Sequence, residues 1–254
     1  MKVIISGCSG HMGQVVENIC KSDPEVEVVA GFDPVQTSKP YPIFSSPAEF
    51  KGQADVVIDF SSPAALEGLL AYCRANHVPA VIATTGYSKE QLSEIEEASR
   101  EIPIFRSANM SLGINVMVEL VKKAAQILGD SYDIEIIERH HNRKVDAPSG
   151  TAIMLADAAS SGLKEQPEYV YGRSERREPR PKNEIGISSV RGGTIVGEHD
   201  VIFAGRDEVI EITHTAQSRE IFASGAVKAA KFLCHVSQPG MYNMQQLVAS
   251  VVGE

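Results

Sequence analysis

The 254-residue chain lacks several features that would place it in a specialised class. No stretch approaches the roughly 20 apolar residues that a membrane helix requires, and the N-terminus turns to glycine and serine too soon for a signal peptide. We therefore expect a cytoplasmic protein with no membrane partner. No internal repeat or low-complexity segment is present. With 43% hydrophobic and 22% charged residues, the composition is ordinary for a folded globular protein.

Cysteine and positive charge are also scarce. The four cysteines show no CxxC spacing, which favours reduced thiols over a disulfide framework or a zinc knuckle. Lysine and arginine number 24 against 33 aspartate and glutamate residues, so the net charge is −9. Because an acidic surface repels nucleic acid and anionic lipid, we expect neither as a partner. Such a surface still leaves room for local sites that bind small anions.

Short apolar strands alternate with helical patterns through the first 110 residues. Strands are predicted at residues 2–7, 25–32, 54–60, 79–84 and 102–106, and helices at residues 12–20, 47–50, 66–77 and 89–100. This alternation indicates an α/β domain, in which a parallel sheet is built through right-handed crossovers.

The pattern changes after residue 110. A long apolar-periodic helix is predicted over residues 115–128, with Gly129 as its C-terminal cap. A strand over residues 131–139 and a helix over residues 151–160 are predicted to follow. Residues 164–182 are rich in proline and charge, and predict an exposed excursion. The strand-like runs from Ile185 onward lack intervening helices, which favours an antiparallel or mixed sheet in a second subdomain. Helical spacing returns at residues 222–236, which can rejoin the first domain.

The segment GCSGHMG, from Gly7 to Gly13, lies between the first predicted strand and the first helix. Glycine lets a pyrophosphate approach the backbone, and the helix offers N–H groups and the positive end of its dipole. Asp33 follows about 20 residues later, where a carboxylate can accept hydrogen bonds from a ribose. We interpret the loop as a dinucleotide site rather than a simple tight turn. Redox chemistry at Cys8, a thiol near a helix N-terminus, is a weaker alternative.

The ribose end of this site leaves the choice of cofactor open. The Asp33 carboxylate repels a 2′-phosphate, and Pro34 follows where an NADP enzyme often has a basic residue, so the sequence favours NAD. Lys39 on the next loop can offset that repulsion.

Residues 83–86 and 107–110 each follow a predicted strand, where open α/β sheets bind ligands. Their small hydroxyl and amide groups can contact the ribose and nicotinamide, and ordinary turn chemistry is the alternative.

Residues 138–152, ERHHNRKVDAPSGTA, concentrate groups suited to acid–base chemistry. Imidazole titrates near neutrality, so His140 or His141 can act as a general acid. Lys144 can hold a carboxylate or donate a proton. A metal site and a solvated basic loop are the alternatives, although adjacent histidines are poorly spaced for joint ligation.

A helix start follows in the same segment. Pro148 and Ser149 are typical of a first helical turn, which places the N–H groups of Gly150 and Thr151 where they can bind an anion. The whole segment is therefore typical of a site for a small dianionic substrate beside a proton donor. We expect Asp59 and Glu138 to support the structure or neighbouring residues rather than act in catalysis. We expect His77, His199, His214 and His235 to be structural histidines with satisfied hydrogen bonds.

The chain resembles the 4-hydroxy-tetrahydrodipicolinate reductases, also called dihydrodipicolinate reductases, of bacterial and plant lysine biosynthesis. The resemblance covers nearly the whole chain. It is carried by VIISGCSGHMG at the start, VVIDFSSP at residues 56–63, ATTG at 83–86, ANMSLGIN at 108–115, ERHHNRKVDAPSGTA at 138–152, RGGTIVGEH at 191–199 and EITHTAQSR at 211–219.

The resemblance implies an α/β protein with two domains. An N-terminal Rossmann dinucleotide-binding domain would comprise residues 1–111 plus 219–254. An α+β domain of residues 112–218, with an open mixed sheet, would bind the substrate and form the contacts of a homotetramer. The implied reaction is NADH- or NADPH-dependent reduction of the ring derived from 4-hydroxy-tetrahydrodipicolinate, a small dicarboxylate, to tetrahydrodipicolinate in the diaminopimelate route.

The resemblance also implies residue roles. His140 matches the proton donor and acceptor, and Lys144 matches a second proton donor that also binds substrate. Matches to substrate-binding positions are His141, Ser149, Gly150 and Thr151. Matches to cofactor contacts are Gly7, Cys8, Ser9, Gly10, His11, Met12, Gly13, Asp33, Ala83, Thr84, Thr85, Ser107, Ala108, Asn109 and Met110. None of these positions implies a metal ligand.

Three positions depart from the family pattern. Met110 stands where a phenylalanine is expected near the nicotinamide, and Ala83 replaces the first glycine of a GTTG segment. Both changes can alter how the nicotinamide packs, but neither removes a reactive group from the site. Pro34 replaces a basic residue that many members use for the 2′-phosphate, which weighs against a preference for NADPH.

Two other functions fit parts of the same sequence. One is a related two-domain dehydrogenase acting on an amino or keto acid, which assays with aspartate and homoserine would separate from the reductase. The other is a non-catalytic nucleotide sensor, which would bind the cofactor without oxidising NADH. The intact His140, Lys144 and SGT segment argues against the sensor.

Overall fold

A computed structural model of the protein describes residues 1–252, without the side chains of Asp130 and Val252. Within that range no helix is long and apolar enough to cross a lipid bilayer. The chain divides into two compact units. The first combines residues 1–111 with the segment from Glu220 onward, and the second comprises Leu112–Arg219.

Twelve strands and seven α-helices make up the described part of the chain. The strands are β1 (Lys2–Ser6), β2 (Glu27–Phe32), β3 (Ile43–Phe44), β4 (Val56–Asp59), β5 (Ala80–Ile82), β6 (Pro103–Phe105), β7 (Asp133–His140), β8 (Glu168–Tyr171), β9 (Glu184–Arg191), β10 (Gly197–Ala204), β11 (Val209–Ala216) and β12 (Gly240–Tyr242). The helices are α1 (His11–Lys21), α2 (Leu66–Asn76), α3 (Lys89–Ala98), α4 (Leu112–Leu128), α5 (Gly150–Gly162), α6 (Glu220–Leu233) and α7 (Met244–Val252).

The first unit is a seven-stranded sheet in the order β12-β6-β5-β4-β1-β2-β3, and every pairing in it is parallel. The central strands are buried along nearly their whole length, which explains their uninterrupted apolar runs. This is the doubly wound Rossmann order with one added edge strand. The strand order reverses between β1 and β4, so the loops after these two strands border the crevice where such sheets bind ligands.

The second unit is a five-stranded mixed sheet in the order β11-β10-β7-β9-β8. β10 runs antiparallel to β7 and β11, whereas β9 runs parallel to β7 and β8. Alternate residues of β7 are buried, and they pack with α4 and α5 in one apolar cluster. One face of the sheet therefore forms the core of this unit, and the predicted fold class, a Rossmann domain plus an α+β domain with a mixed sheet, is confirmed.

The structure corrects the predicted secondary structure in three places. The exposed excursion over residues 164–182 contains β8, an edge strand that pairs in parallel with β9. The strands β3 and β12 were not expected, since two or three residues are too short to show a period. Helix α4 begins at Leu112, three residues before the predicted start at residue 115.

Candidate active site

The glycine loop after β1 is closely packed against neighbouring backbone. Gly7 has a φ of +80°, and a Cβ atom there would lie 2.5 Å from the carbonyl oxygen of Phe60. A Cβ atom on Gly13 would lie 2.1 Å from the Gly7 oxygen. Helix α1 begins directly after Gly10, and no side chain caps its first turn. Its leading N–H groups can therefore serve an anion, so the residues present fit a dinucleotide pyrophosphate.

The end of β2 holds a carboxylate beside this loop. The N–H of Ser9 donates to Asp33 Oδ2 at 3.0 Å, and the N–H of Val35 donates to Oδ1 at 2.8 Å. Each oxygen keeps a lone pair for a ribose hydroxyl. The predicted compensation by Lys39 is not supported, because Lys39 Nζ lies 2.5 Å from Glu17 Oε2 and its side chain is only 11% exposed.

Hydrogen bonds also order the loops that follow β4, β5 and β6. The buried carboxylate of Asp59 accepts from the Ser61 hydroxyl at 2.5 Å and from the Tyr87 hydroxyl at 3.3 Å. This ties the end of β4 to the segment that follows Ala83, Thr84 and Thr85. After β6, Asn109 Oδ1 accepts the N–H of Ser111 at 2.8 Å. Both predicted loop segments therefore lie at the carboxyl ends of the parallel strands.

Two predicted cofactor contacts are buried in the protein. Cys8 is fully buried, and its sulfur packs so close to Gly31 that a Cβ atom there would lie 2.4 Å away. Burial raises the pKa of the Cys8 thiol, which argues against the redox alternative. Met110 is also buried. Only the backbones of these two residues remain as predicted contacts, whereas Gly10, His11 and Thr85 are exposed.

The second unit carries a polar cluster at one end of its sheet. Along the helix-covered face of β7, Ile134 and Ile136 are followed by Glu138 and His140, all buried. The strand pairings place His140 opposite Arg191 of β9, and Glu138 opposite His199 of β10. Residues that are far apart in the chain thus meet at the end of an apolar core.

Glu138 lies at the centre of this cluster. Its carboxylate is fully buried and accepts hydrogen bonds from several neighbours. Arg191 binds it in a bidentate manner, at 2.6 and 2.7 Å, His140 Nδ1 lies 2.6 Å from Oε2, and the N–H of Ser149 donates at 3.1 Å. Burial alone would raise the pKa of Glu138, but the hydrogen bonds from Arg191 and His140 outweigh it and lower the pKa to about 2.

His140 is fixed at Nδ1, and its Nε2 lies beside Gly197. Its Nδ1 faces Glu138, whereas a Cβ atom on Gly197 would lie only 3.1 Å from Nε2. A side chain at position 197 would therefore crowd Nε2. The absence of one at Gly197 keeps this nitrogen available to a ligand.

The loop after β7 brings further cationic groups. Lys144 Nζ lies 2.8 Å from Asp146 Oδ1, and this contact lowers the pKa of Asp146. His141 Nε2 lies 3.4 Å from a guanidinium nitrogen of Arg219. Partial burial, followed by the charge of Arg219, lowers the pKa of His141. Among the described side chains, no three His, Cys, Asp or Glu groups gather as a metal site.

Ser149 begins helix α5, as the sequence predicts, and also makes a contact that the sequence did not reveal. Its hydroxyl accepts the N–H of Ala152 at 3.1 Å and so caps α5. The same oxygen lies 3.0 Å from His199 Nε2. This hydroxyl is buried and engaged on both sides, which argues against direct substrate binding by it. Gly150 is exposed in the first turn of α5, with nothing within 4 Å of a Cβ atom placed there, so this turn remains the candidate anion site.

Comparison with known proteins places this geometry in a family. The family described as "Dihydrodipicolinate reductase, N-terminus" matches residues 1–110, and "Dihydrodipicolinate reductase, C-terminus" matches residues 113–248. The 4-hydroxy-tetrahydrodipicolinate reductase of Caldanaerobacter subterraneus subsp. tengcongensis is 58% identical, over 98% of both chains. That of Clostridium tetani is 50% identical, also over 98% of both.

The chain belongs to the dihydrodipicolinate reductase family. It is an oxidoreductase of lysine and diaminopimelate biosynthesis, with the NAD(P)-binding fold of that family. A solved structure, the dipicolinate-bound dihydrodipicolinate reductase from Paenisporosarcina sp. TG-14, superposes with a TM-score of 0.78 at 24% identity, over 96% of this chain and 97% of that one. At that identity the likeness shows the fold alone.

Sequence reasoning missed Arg191, Gly197 and the true setting of His199 in this site. It placed His199 among satisfied structural histidines, but its Nδ1 has no hydrogen-bond partner among the described residues. The strands that carry these residues were predicted, but their pairing with β7 was not. The missing information was the strand register.

Proposed function

We propose that this reductase converts the ring derived from 4-hydroxy-tetrahydrodipicolinate to tetrahydrodipicolinate, with His140 and Lys144 as its proton-transferring residues. A bound reduced nicotinamide supplies the hydride. The observation that carries the proposal is His140, which is anchored at Nδ1 by a buried carboxylate while its Nε2 lies beside the gap at Gly197.

The substrate carboxylates require a cationic and hydrogen-bonding site. The first turn of α5, at Gly150 and Thr151, offers its backbone and the positive end of the helix dipole to one carboxylate. Lys144 and His141 carry the donors for the second. Lys144 must exchange its contact with Asp146 for the substrate, which a flexible four-carbon stem permits.

Steady-state turnover tests these roles. The substrate is generated in the assay by the preceding synthase, and NADH oxidation is followed by absorbance. We expect His140→Gln and Lys144→Ala each to lower kcat by roughly 10²-fold or more, while NADH binding, measured by fluorescence titration, survives. Full activity in both variants would refute the assigned roles. Activity with aspartate but not with the ring substrate would refute the reaction.

We also propose that NADH is the preferred cofactor. The Asp33 carboxylate is fixed at the ribose end by two backbone N–H groups, where it repels a 2′-phosphate. Lys39, the basic residue nearest in sequence, is held by the buried Glu17, which also binds Lys21 and the Tyr41 hydroxyl. Releasing Lys39 would leave Glu17 with one cation fewer.

Two variants test this preference. In the wild type we expect kcat/KM for NADH to exceed that for NADPH at least about tenfold, a difference of about 1.4 kcal/mol. Asp33→Ala should reduce the ratio, because it removes the repulsion. Lys39→Met should leave the KM for NADPH unchanged. If this variant raised the KM for NADPH but not for NADH, Lys39 would be a phosphate ligand and the reasoning would be wrong.

We further propose that the protein assembles as a homotetramer through its five-stranded sheets. β11 is an edge strand, and Val190 and Val209 are exposed on the face opposite α4 and α5. Sedimentation equilibrium should give four times the 27.4 kDa chain mass. A monomer at micromolar concentration would contradict the proposal.

A further inference from the structure

We propose that Glu138 and Arg191 form a positioning pair that fixes the tautomer of His140, so that Nδ1 keeps its proton and only Nε2 exchanges one with the substrate. The inference rests on the proposed role of His140 in proton transfer. It assigns the two residues no contact with substrate or cofactor. Their effect acts entirely through the imidazole ring.

The first step is the ionisation of Glu138. An ionised carboxylate has no proton to give and can only accept hydrogen bonds. Both of its oxygens face donors: two guanidinium nitrogens of Arg191 and the N–H of Ser149. These donors favour the ionised form, which agrees with the low pKa of Glu138. At 2.6 Å from Oε2, His140 Nδ1 must therefore be the donor.

The second step is the orientation of the ring. With Nδ1 committed to Glu138, the ring presents Nε2 to the space that Gly197 leaves open. When the imidazole is charged, Nε2 carries the proton that can be given to the substrate. After that transfer, Nε2 holds a lone pair, Nδ1 keeps its proton and Glu138 stays ionised. The ring can then take up a proton again only at Nε2.

Arg191 is needed because of burial. An isolated buried carboxyl group tends to hold a proton, since burial disfavours its charged form. A protonated Glu138 could donate to Nδ1 and so place the imidazole proton on Nε2 in the neutral ring. The bidentate contact from Arg191 prevents this. Arg191 also donates to the carbonyl oxygen of Asp146 at 2.7 Å, which links the pair to the loop that carries Lys144.

A double-mutant cycle separates positioning from simple structural support. We expect Glu138→Gln to lower kcat by roughly 10²-fold, with the KM for NADH little changed, because a glutamine amide can donate to Nδ1 and favour the wrong tautomer. In a His140→Gln background, adding Glu138→Gln should cause little further loss, since there is no ring left to position. A loss of the same size in both backgrounds would overturn the proposal.

Glu184 provides a matched control. It is also a buried carboxylate in the same sheet, and it is bound by Arg173 and Arg176. Glu184→Gln removes a comparable buried charge without touching His140, so its effect on kcat should be the same with and without His140. If Glu138→Gln does not fold, Arg191→Lys replaces it in the cycle, because lysine keeps the charge but loses the bidentate geometry.

Nitrogen NMR of histidine-labelled enzyme reads the tautomer directly. The His140 resonances, assigned by their absence in His140→Gln, should show a protonated Nδ1 in the neutral ring of the wild type and a shift toward protonated Nε2 in Glu138→Gln. The same tautomer in both proteins would overturn the inference. Full activity in His140→Gln would instead refute the proposed function, so the two failures are distinguishable.

Discussion

Acidification provides a quantitative test of the polar cluster, through His199. Its side chain is only 4% exposed, its Nε2 lies 3.0 Å from the Ser149 hydroxyl, and its ring centre lies 5.1 Å from that of His140. Burial, followed by the nearby charge of His140, lowers the pKa of His199 from 6.5 to about 4. The Glu138 carboxylate raises the pKa of His199 by less than these two effects lower it, so the imidazole stays neutral near pH 7 in the folded protein.

The sign and size of the effect follow from linkage. Below pH 6.5 the unfolded chain binds a proton at His199, whereas the folded protein does not bind it until about pH 4. The free energy of unfolding therefore falls as the pH drops through this window. The full loss is about 3 kcal/mol, and at pH 5 it amounts to about 2 kcal/mol. Above pH 6.5 both states are neutral and His199 contributes no pH dependence.

Urea unfolding at pH 7.5 and pH 5 measures this loss. Between these two values the wild type should lose about 2 kcal/mol more than His199→Gln, in which an amide retains a partner for Ser149 but cannot titrate. As a control, replacing the exposed His235 by glutamine should leave the pH dependence of the wild type intact. Equal losses in wild type and His199→Gln would refute the reasoning, because His199 would then titrate alike in both states.

Three further predictions follow from the packing. Gly197→Val should lower kcat at least about tenfold and leave the KM for NADH unchanged, because the new side chain crowds His140 Nε2. An unchanged kcat would contradict this prediction. Gly13→Ala should abolish NADH binding in a fluorescence titration, since its Cβ atom would lie 2.1 Å from the Gly7 oxygen. Ile136→Ala, in the core of the second unit, should lower the free energy of urea unfolding by about 2–5 kcal/mol.

The Rossmann unit was predicted well because its strands are buried on both faces and alternate with helices. Each of β1, β4 and β5 stands out as a short apolar run between polar segments. The short edge strands β3 and β12 were missed, since their position depends on backbone pairing with one neighbour rather than on burial.

β8 illustrates a different difficulty. It lies within a segment whose proline and charge content favours a loop, and its four residues show alternation only briefly. Tyr169 anchors it through a hydroxyl that donates to Asp157 at 2.7 Å, and the following loop is held by ion pairs from Arg173 and Arg176 to Glu184. The charges that suggested a solvated excursion in fact bind this segment to the sheet.

Some features of the candidate site could be predicted from the sequence, and others could not. Glu138 and His140 are two positions apart on one strand, so a common face could be inferred from the sequence. Ser149 was read as a helix start, which is its role in the structure, but its contact with His199 required a partner about 50 residues away. The roles of residues close together in the sequence could therefore be predicted, whereas their hydrogen-bond partners on other strands could not.

A pattern shared by three strands nevertheless contains part of the missing information. On the face of the sheet that packs against the helices, each of the three strands is apolar at one end and polar at the other. In β7 and β9, isoleucines are followed by Glu138 and His140 and by Ser189 and Arg191, respectively. In β10, which runs in the opposite direction, His199 precedes Val201 and Phe203. Because a buried sheet face tolerates polar side chains only where they satisfy one another, three strands that turn polar at one end must align those ends. That requirement sets β9 parallel and β10 antiparallel to β7, which are the directions observed in the sheet that brings Arg191 to Glu138.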